Sequence, residues 1–355
     1  MFKKIKKAYG NFQTAIAPFI ELTRGYSLLT SMAPWFVAAA YASVSPHFYS
    51  DTPTKLFTTL LTFVAVICIH LGSNLLDDYI DVKKQLNKGI SLNEVNFKKA
   101  RNKARLIKDG TFSLKQVKII LAVLFGIGIL SGVYFTILYG WIIPVIATVT
   151  GILCLLYPYS SKICAGELIV GTIFGPLLMM GTYIALTGIT TGSNAQKLFV
   201  LSFAIGLMIM VLLDAHNLMD YDYDKSNSKH TLCTAIGTKK RALALIAAEI
   251  IIAYLIIIYL AATKQFSYWI LLSIALTAPL SVKLLISLND YNNVKDLKFI
   301  PKWYLGPMEN WDIIQKECYE YFMYRFYIAR NIGFIFCVTI AIILFFTVKI
   351  TYFYI

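Results

Sequence analysis

Two short stretches of this 355-residue chain gather carboxylates at helical spacing. In LGSNLLDDYIDVKK, Asn74, Asp77, Asp78 and Asp81 stand at i, i+3, i+4 and i+7, which on a helix places all four on one face. In DAHNLMDYDYDKSNSKHT, Asp214, Asn217, Asp220 and Asp224 follow one another by three, three and four residues and again share a face. Each cluster ends an apolar run, at the helix terminus whose dipole disfavours anions. Two carboxylates about 6 Å apart at an effective dielectric near 20 repel by roughly 3 kcal/mol, so each cluster calls for a cation. Dense oxygen donors without His or Cys ligand spacing suit Mg²⁺, with Mn²⁺ as a substitute, an ion usually shared between carboxylates and substrate phosphates. Either cluster alone also reads as solvated loop carboxylates balancing nearby lysines. Both together, at matching depth on one side, resist that reading, because acids at a membrane boundary are costly unless used.

The elements that must position these residues are membrane spans. The chain is 58% hydrophobic and only 15% charged, outside the usual range of soluble domains. Nine stretches approach the roughly 20 apolar residues that cross a bilayer core: 27–45, 56–76, 117–138, 141–157, 168–187, 198–216, 242–262, 266–287 and 332–354. The Lys-rich start, MFKKIKKAYGNF, is not read as a secretory signal, since Arg24 stands directly before the first run and no cleavage site follows. The expectation is an all-α polytopic membrane protein, one domain over 1–355, with about nine helices in a single bundle around a central cavity. Residues 1–26 and the loops 78–116, 220–241 and 288–331 fall on the inner side. Gly110 and Ser113 mark a helix stop and start in the first loop, Gly237 a turn in the second, and a short helix is expected around WDIIQKECYEYFMYRF in the third. Spans two and six each run into an acidic cluster, so two similar half-bundles would bring both clusters to one cavity.

The net charge of +14 invites a nucleic-acid partner, but its distribution argues against one. Under the nine-span topology only Lys55, Lys197, Lys264 and Lys349 fall outside, the asymmetry expected of a cytoplasmic N-terminus. The lipid bilayer and an anionic substrate remain as partners, and the expected location is the cell membrane with the active site facing the cytoplasm. The six cysteines show neither CxxC nor Cys/His spacing, which disfavours a disulfide framework or zinc site.

The paired clusters resemble the two aspartate-rich motifs of the UbiA superfamily of intramembrane prenyltransferases. The second matches more closely: NLMDYDYDKSNSKHTLCTAIG keeps Asn217, Asp220, Asp224, Lys229, Thr231 and Gly237 where the menaquinone-type branch has its Asn, two Asp, Lys, Thr and Gly. GELIVGTIFGPLLMMGTY, residues 166–183, is similar to a segment of 1,4-dihydroxy-2-naphthoate prenyltransferases, and LTRGYSLLTSMAPW echoes the family's first span with Arg24-Gly25 in place of Arg-Pro. The first motif departs further. Asp77 replaces the usual Asn, the distal Asp falls near Gln85 or Asn87, Met219 replaces a common Arg, and the loop's Tyr-Lys pair is approximated by Tyr157 and Lys162.

The resemblance implies Mg²⁺-dependent transfer of a prenyl group from a prenyl diphosphate to a small aromatic acceptor. Asp77, Asp78 and Asp81 would hold one metal ion, and Asp220 and Asp224 another. Lys229, with Arg101 or Arg105, would stabilise the departing diphosphate, and Asn74, Asn217, Tyr157 and Lys162 would complete the substrate site. Another acceptor (a 4-hydroxybenzoate-like acid, haem, a glycerol-phosphate lipid) and a cation-coupled transporter are the alternatives; transporters, however, place such acids near the midplane on broken helices. The elements of a CDP-alcohol phosphatidyltransferase are absent. Glu167 and Glu249 are read either as cavity acids or as interhelical partners, and His70 and His216 as packing or supporting residues.

Overall fold

The computed structural model describes residues 16–43, 45, 48, 52–87, 105–227, 229–290, 305, 315–316 and 320–353. Every regular element among them is helical. Residues 16–22 form a helical turn pair ending at Arg24, whose backbone is left-handed (φ 52°, ψ 43°). A single 3₁₀ turn, Gly25–Ser27, then leads into α1, Leu29–Ala42. The remaining helices are α2 (Thr52–Asn87), α3 (Leu114–Tyr139), α4 (Ile142–Leu156, prolonged by a 3₁₀ turn Tyr157–Lys162), α5 (Gly166–Thr187), α6 (Ser193–Met219), α7 (Lys239–Ala262), α8 (Leu272–Asn289) and α9 (Glu320–Phe353).

Eight of these, α2 to α9, are long and apolar enough to span a bilayer, where the sequence suggests about nine. The exception is α1. Its 14 residues reach only about 21 Å, and its Ala-rich face is spent on neighbours: Ala33, Val37, Ala38 and Ala42 are fully buried. Loop boundaries shift as well. Helix α2 continues unbroken to Asn87, so Asp78 and Asp81 stand on helical turns rather than in a loop. Residues from Glu320 onward belong to α9, so the second half of WDIIQKECYEYFMYRF runs into the last span; residues 315 and 316 are helical, and the rest of the expected short helix lies outside the described residues. The stop at Gly110 (φ 76°) and the start at Ser113, which forms a capping box with Gln116, appear as expected.

Each helix packs on its chain neighbour, and α9 packs back on α1, so the bundle closes. Helix α6 also packs on α9, leaving α7 and α8 behind that pair. Helices α5 and α6 approach through glycines: a Cβ on Gly206 would lie 2.6 Å from the Gly171 carbonyl, and one on Gly175 2.6 Å from that of Ser202. Small residues permit this close approach where lipid supplies no hydrophobic drive. A π turn, Ile173–Leu177, holding Pro176 bends α5 at the same level. At the end remote from the acids, Tyr41 of α1 meets Tyr183 of α5, ring centroids 5.6 Å apart, and donates to the Asn194 carbonyl, closing the bundle there. Leu130, Ile137, Ile152 and Ile251 project outward, a coat that suits acyl chains and would be an aggregation liability in water.

Candidate active site

One cavity of about 2680 Å³ occupies the space enclosed by α1 to α6 and α9, and both acidic clusters stand on its wall. Its lower lining is apolar, with Ile69, Phe125, Ile146, Phe174 and Leu177, while Asn74, Asp77, Asp81, Asn217, Asp220 and Asp224 surround its polar end. The periodicity of α2 and α6 brings these side chains there, and the two helices supply one cluster each.

The first cluster is paired with a residue from before α1. The left-handed turn at Arg24 aims its guanidinium between Asp77 and Asp78: Nε donates to Asp78 Oδ2 at 3.0 Å, and Nη2 donates to Asp77 Oδ2 at 3.0 Å and to Asp78 Oδ1. Burial opposes the charge on Arg24, but Asp78 and then Asp77 outweigh it and hold the guanidinium above its ordinary pKa. Such a planar fork matches carboxylates as an ammonium cannot. Asn74 secures the same turn, donating to the Thr23 carbonyl and Ser27 Oγ, and His70 Nε2 lies 2.9 Å from that hydroxyl. Asp78 is buried and does not reach the cavity wall, whereas Asp77 and Asp81 do. Asp81, half-exposed, has Lys84 Nζ 3.7 Å away, and Lys84 in turn donates to the Pro158 carbonyl and lies over the Tyr159 ring.

In the second cluster, Asp220 caps α6 and lies half-exposed with His216 Nδ1 3.8 Å distant. Asp224, buried, accepts from Lys229 at 2.9 Å. Asn217 donates to Glu167 Oε1 at 2.7 Å, and the Leu232 amide donates to the same oxygen at 3.0 Å, so Glu167 ties α5 and α6 to the loop after the motif. Thr231 caps the short helix Leu232–Ala235 in that loop. Asp214, the first residue of the cluster, turns away: it is fully buried and lies beside Cys233 Sγ, 3.4 Å away.

Among the described residues no three His, Cys, Asp or Glu side chains converge as a ready-made metal cage. Mg²⁺ is commonly held by one or two carboxylates with substrate phosphates and water completing its octahedron. Asp77 and Asp81 of the first cluster, with Asp220 and Asp224 of the second, are hard oxygen donors lining the same cavity, a donor set of the kind Mg²⁺ takes.

A family model for the UbiA prenyltransferase family matches residues 28–305. The chain belongs to that family. The chain is also 25% identical over 254 residues to a 1,4-dihydroxy-2-naphthoate octaprenyltransferase of Bacillus subtilis (strain 168), covering 70% of this chain and 75% of the relative. In fold it is similar to a structure of digeranylgeranylglyceryl phosphate synthase, with a TM-score of 0.57 and 17% identity over 93% of this chain and 98% of that one. It is likewise similar to an apo UbiA homologue from Aeropyrum pernix K1, with a TM-score of 0.54 and 17% identity over 84% and 95%. The UbiA family match makes the chain an integral membrane prenyltransferase, and the transporter alternative falls away.

Within this UbiA bundle the expected site residues divide. Asn74, Asp77, Asp81, Tyr157, Asn217, Asp220, Asp224 and Lys229 line the cavity together. Lys162 does not: it closes the 3₁₀ turn after α4 and points to the exterior, because that turn carries it past the wall that Tyr157 occupies. Arg101 lies outside the described residues, and so does the side chain of Arg105, which opens a short helix, Arg105–Lys108. Of the two isolated acids, Glu167 is on the cavity wall and Glu249 is buried on α7 behind it. Sequence spacing passes over Arg24 as a site residue, since its partners lie 53 and 54 positions away; the signal was a lone arginine immediately before an apolar run.

Proposed function

We propose that this prenyltransferase moves the prenyl group of an allylic diphosphate onto a small aromatic acceptor, a quinone precursor of the 1,4-dihydroxy-2-naphthoate type. The reading includes dependence on Mg²⁺ and a location in the cell membrane with the acidic end towards the cytoplasm. The observation that carries it is the convergence of two acidic faces, from α2 and α6, on one cavity that is also lined by many apolar side chains. A volume near 2680 Å³ exceeds the roughly 300–1,000 Å³ of a drug-sized pocket, room for an isoprenoid chain beside a bicyclic ring.

In the reaction the allylic C1–O bond breaks with its electron pair leaving on the diphosphate. A carbon of the electron-rich ring then bonds to C1, and the ring regains aromaticity by losing the proton or carboxylate it carried there. Mg²⁺ bound by Asp77 and Asp81, and by Asp220 and Asp224, would supply the charge that makes diphosphate a good leaving group. Lys229, held by Asp224, presents an ammonium to the departing oxygens. Arg24 keeps Asp77 and Asp78 compact and anchored. The apolar walls exclude the water that would otherwise quench the allyl cation.

The test is purified protein with Mg²⁺ and a labelled prenyl diphosphate, offered a panel of aromatic and lipid acceptors. Prenylated 1,4-dihydroxy-2-naphthoate, abolished by chelator, is the expected result. Transfer to a glycerol-phosphate lipid and to none of the aromatic acceptors would overturn the acceptor reading, and undiminished turnover in chelator the metal reading.

A further inference from the structure

Helix α9 lies beyond the residues that the family model matches, yet it forms one wall of the cavity. Phe322, Phe326 and Arg330 stand four residues apart along the face it presents there, with Tyr327 beside them. The Arg330 guanidinium lies 4.6 Å from the centre of the Tyr327 ring. Its Nε and Nη2 donate to Asn331 Oδ1 at 3.1 and 3.0 Å, and Nη2 also donates to the Leu305 carbonyl at 2.9 Å. All these acceptors are neutral. Among the described residues no carboxylate pairs with Arg330, and its Nη1 makes no hydrogen bond. A charge held in a membrane span without a counterion is costly and marks a ligand path.

Depth decides which ligand. The Phe322 ring meets that of His216 at 5.1 Å, and His216 lies 3.8 Å from Asp220, so Phe322 is level with the second acidic cluster. Arg330 follows eight residues later, about 12 Å further into the cavity at 1.5 Å per residue. A diphosphate held between the acidic clusters and Lys229 does not extend that far. The anion that Arg330 takes therefore belongs to the other substrate, and the rings of Phe326 and Tyr327 beside it give a planar ligand a surface to lie on.

We propose that Arg330 binds the carboxylate of the aromatic acceptor, fixing the ring on the α9 wall below the allylic carbon, and so selects aromatic acids over uncharged phenols. The inference rests on the aromatic-acceptor reading above. It is tested with the full-length protein, comparing 1,4-dihydroxy-2-naphthoate with its carboxylate-free counterpart naphthalene-1,4-diol in wild type, Arg330→Gln and Arg330→Lys. Arg330→Gln is expected to raise KM for the acid by roughly 10- to 100-fold, the scale of a charge-assisted hydrogen bond, while KM for the diol and for the prenyl diphosphate change less than about twofold; Arg330→Lys recovers part of the loss. Binding of unreactive 2-naphthoate, followed calorimetrically, should weaken in parallel and supplies a readout free of turnover. Equal losses with acid and diol would make Arg330 a structural tie to Leu305, and a raised KM for the prenyl diphosphate would assign it to the other substrate; either overturns the proposal. Failure of the wild type to prenylate any aromatic acceptor would instead sink the reading on which it rests. Should Arg330→Gln not fold, the acid-to-diol ratio of Arg330→Lys and the 2-naphthoate titration of the wild type decide the matter.

Discussion

Replacing Arg24 by Gln removes the charge that the structure places between Asp77 and Asp78 while keeping hydrogen-bond donors of similar reach. The side chains of Arg24, Asp77 and Asp78 are only 18%, 10% and 5% exposed, so the solvent screening that makes surface ion pairs nearly worthless is largely missing. Deleting one partner of a buried pair costs about 3–5 kcal/mol, because the remaining charge is left without compensation. Adjacent carboxylates add a repulsion of roughly 3 kcal/mol at 6 Å, part of which is relieved when one of them takes up a proton. A net loss of about 3 kcal/mol is expected in chelator, seen as a fall of roughly 5 °C or more in the unfolding temperature of the detergent-solubilised protein. Millimolar Mg²⁺ should return much of that loss, since a divalent ion can take the place the guanidinium leaves, and it should stabilise the wild type less. Equal unfolding temperatures for Arg24→Gln and wild type in chelator would refute the claim that Arg24 is the resident counterion. Equal stabilisation of both by Mg²⁺ would refute the claim that metal and guanidinium serve the same carboxylates.

Asp220→Ala is expected to slow prenyl transfer by at least about a hundredfold, the scale of losing a principal electrostatic contribution to a transition state; single-turnover rates with saturating prenyl diphosphate measure it. Gly206→Ala forces a methyl group against the Gly171 carbonyl at 2.6 Å, and overpacking of this kind costs about 1–3 kcal/mol, detectable as a lower unfolding temperature with the acidic sites themselves unaltered. Cysteines introduced at positions 85 and 227, on the segments that follow the two motifs, should react with an impermeant maleimide only from the cytoplasmic side of sealed vesicles. Labelling from the outer face alone would invert the topology.

Periodicity alone made much of this site legible. A three-four spacing of acids at the ends of two apolar runs fixes which face of α2 and of α6 is acidic, and the structure turns those faces to one cavity as the spacing implies. Long-range pairing leaves no such trace. Asp214 satisfies the spacing yet faces away from the cavity beside Cys233, and Glu167 finds Asn217 across fifty residues. Hydropathy measures how apolar α1 is but not where its apolar face goes, and Val37 and Ala38 are spent on packing against other helices. Arg330 was counted with the inner-side basic charge, and only the packing of α9 shows that it faces the cavity.

The altered first motif becomes intelligible once Arg24 is included. Three carboxylates remain in the cluster, and Asp77 and Asp78 share the Arg24 guanidinium. Asp81, half-exposed and one helical turn beyond Asp77, is the carboxylate least committed to that fork. An acid at position 77 gives Arg24 a second partner, and that partner holds the turn before α1 against the motif. In this arrangement Asp78 is buried beside Arg24, and Asp77 and Asp81 are the carboxylates of the motif that line the cavity.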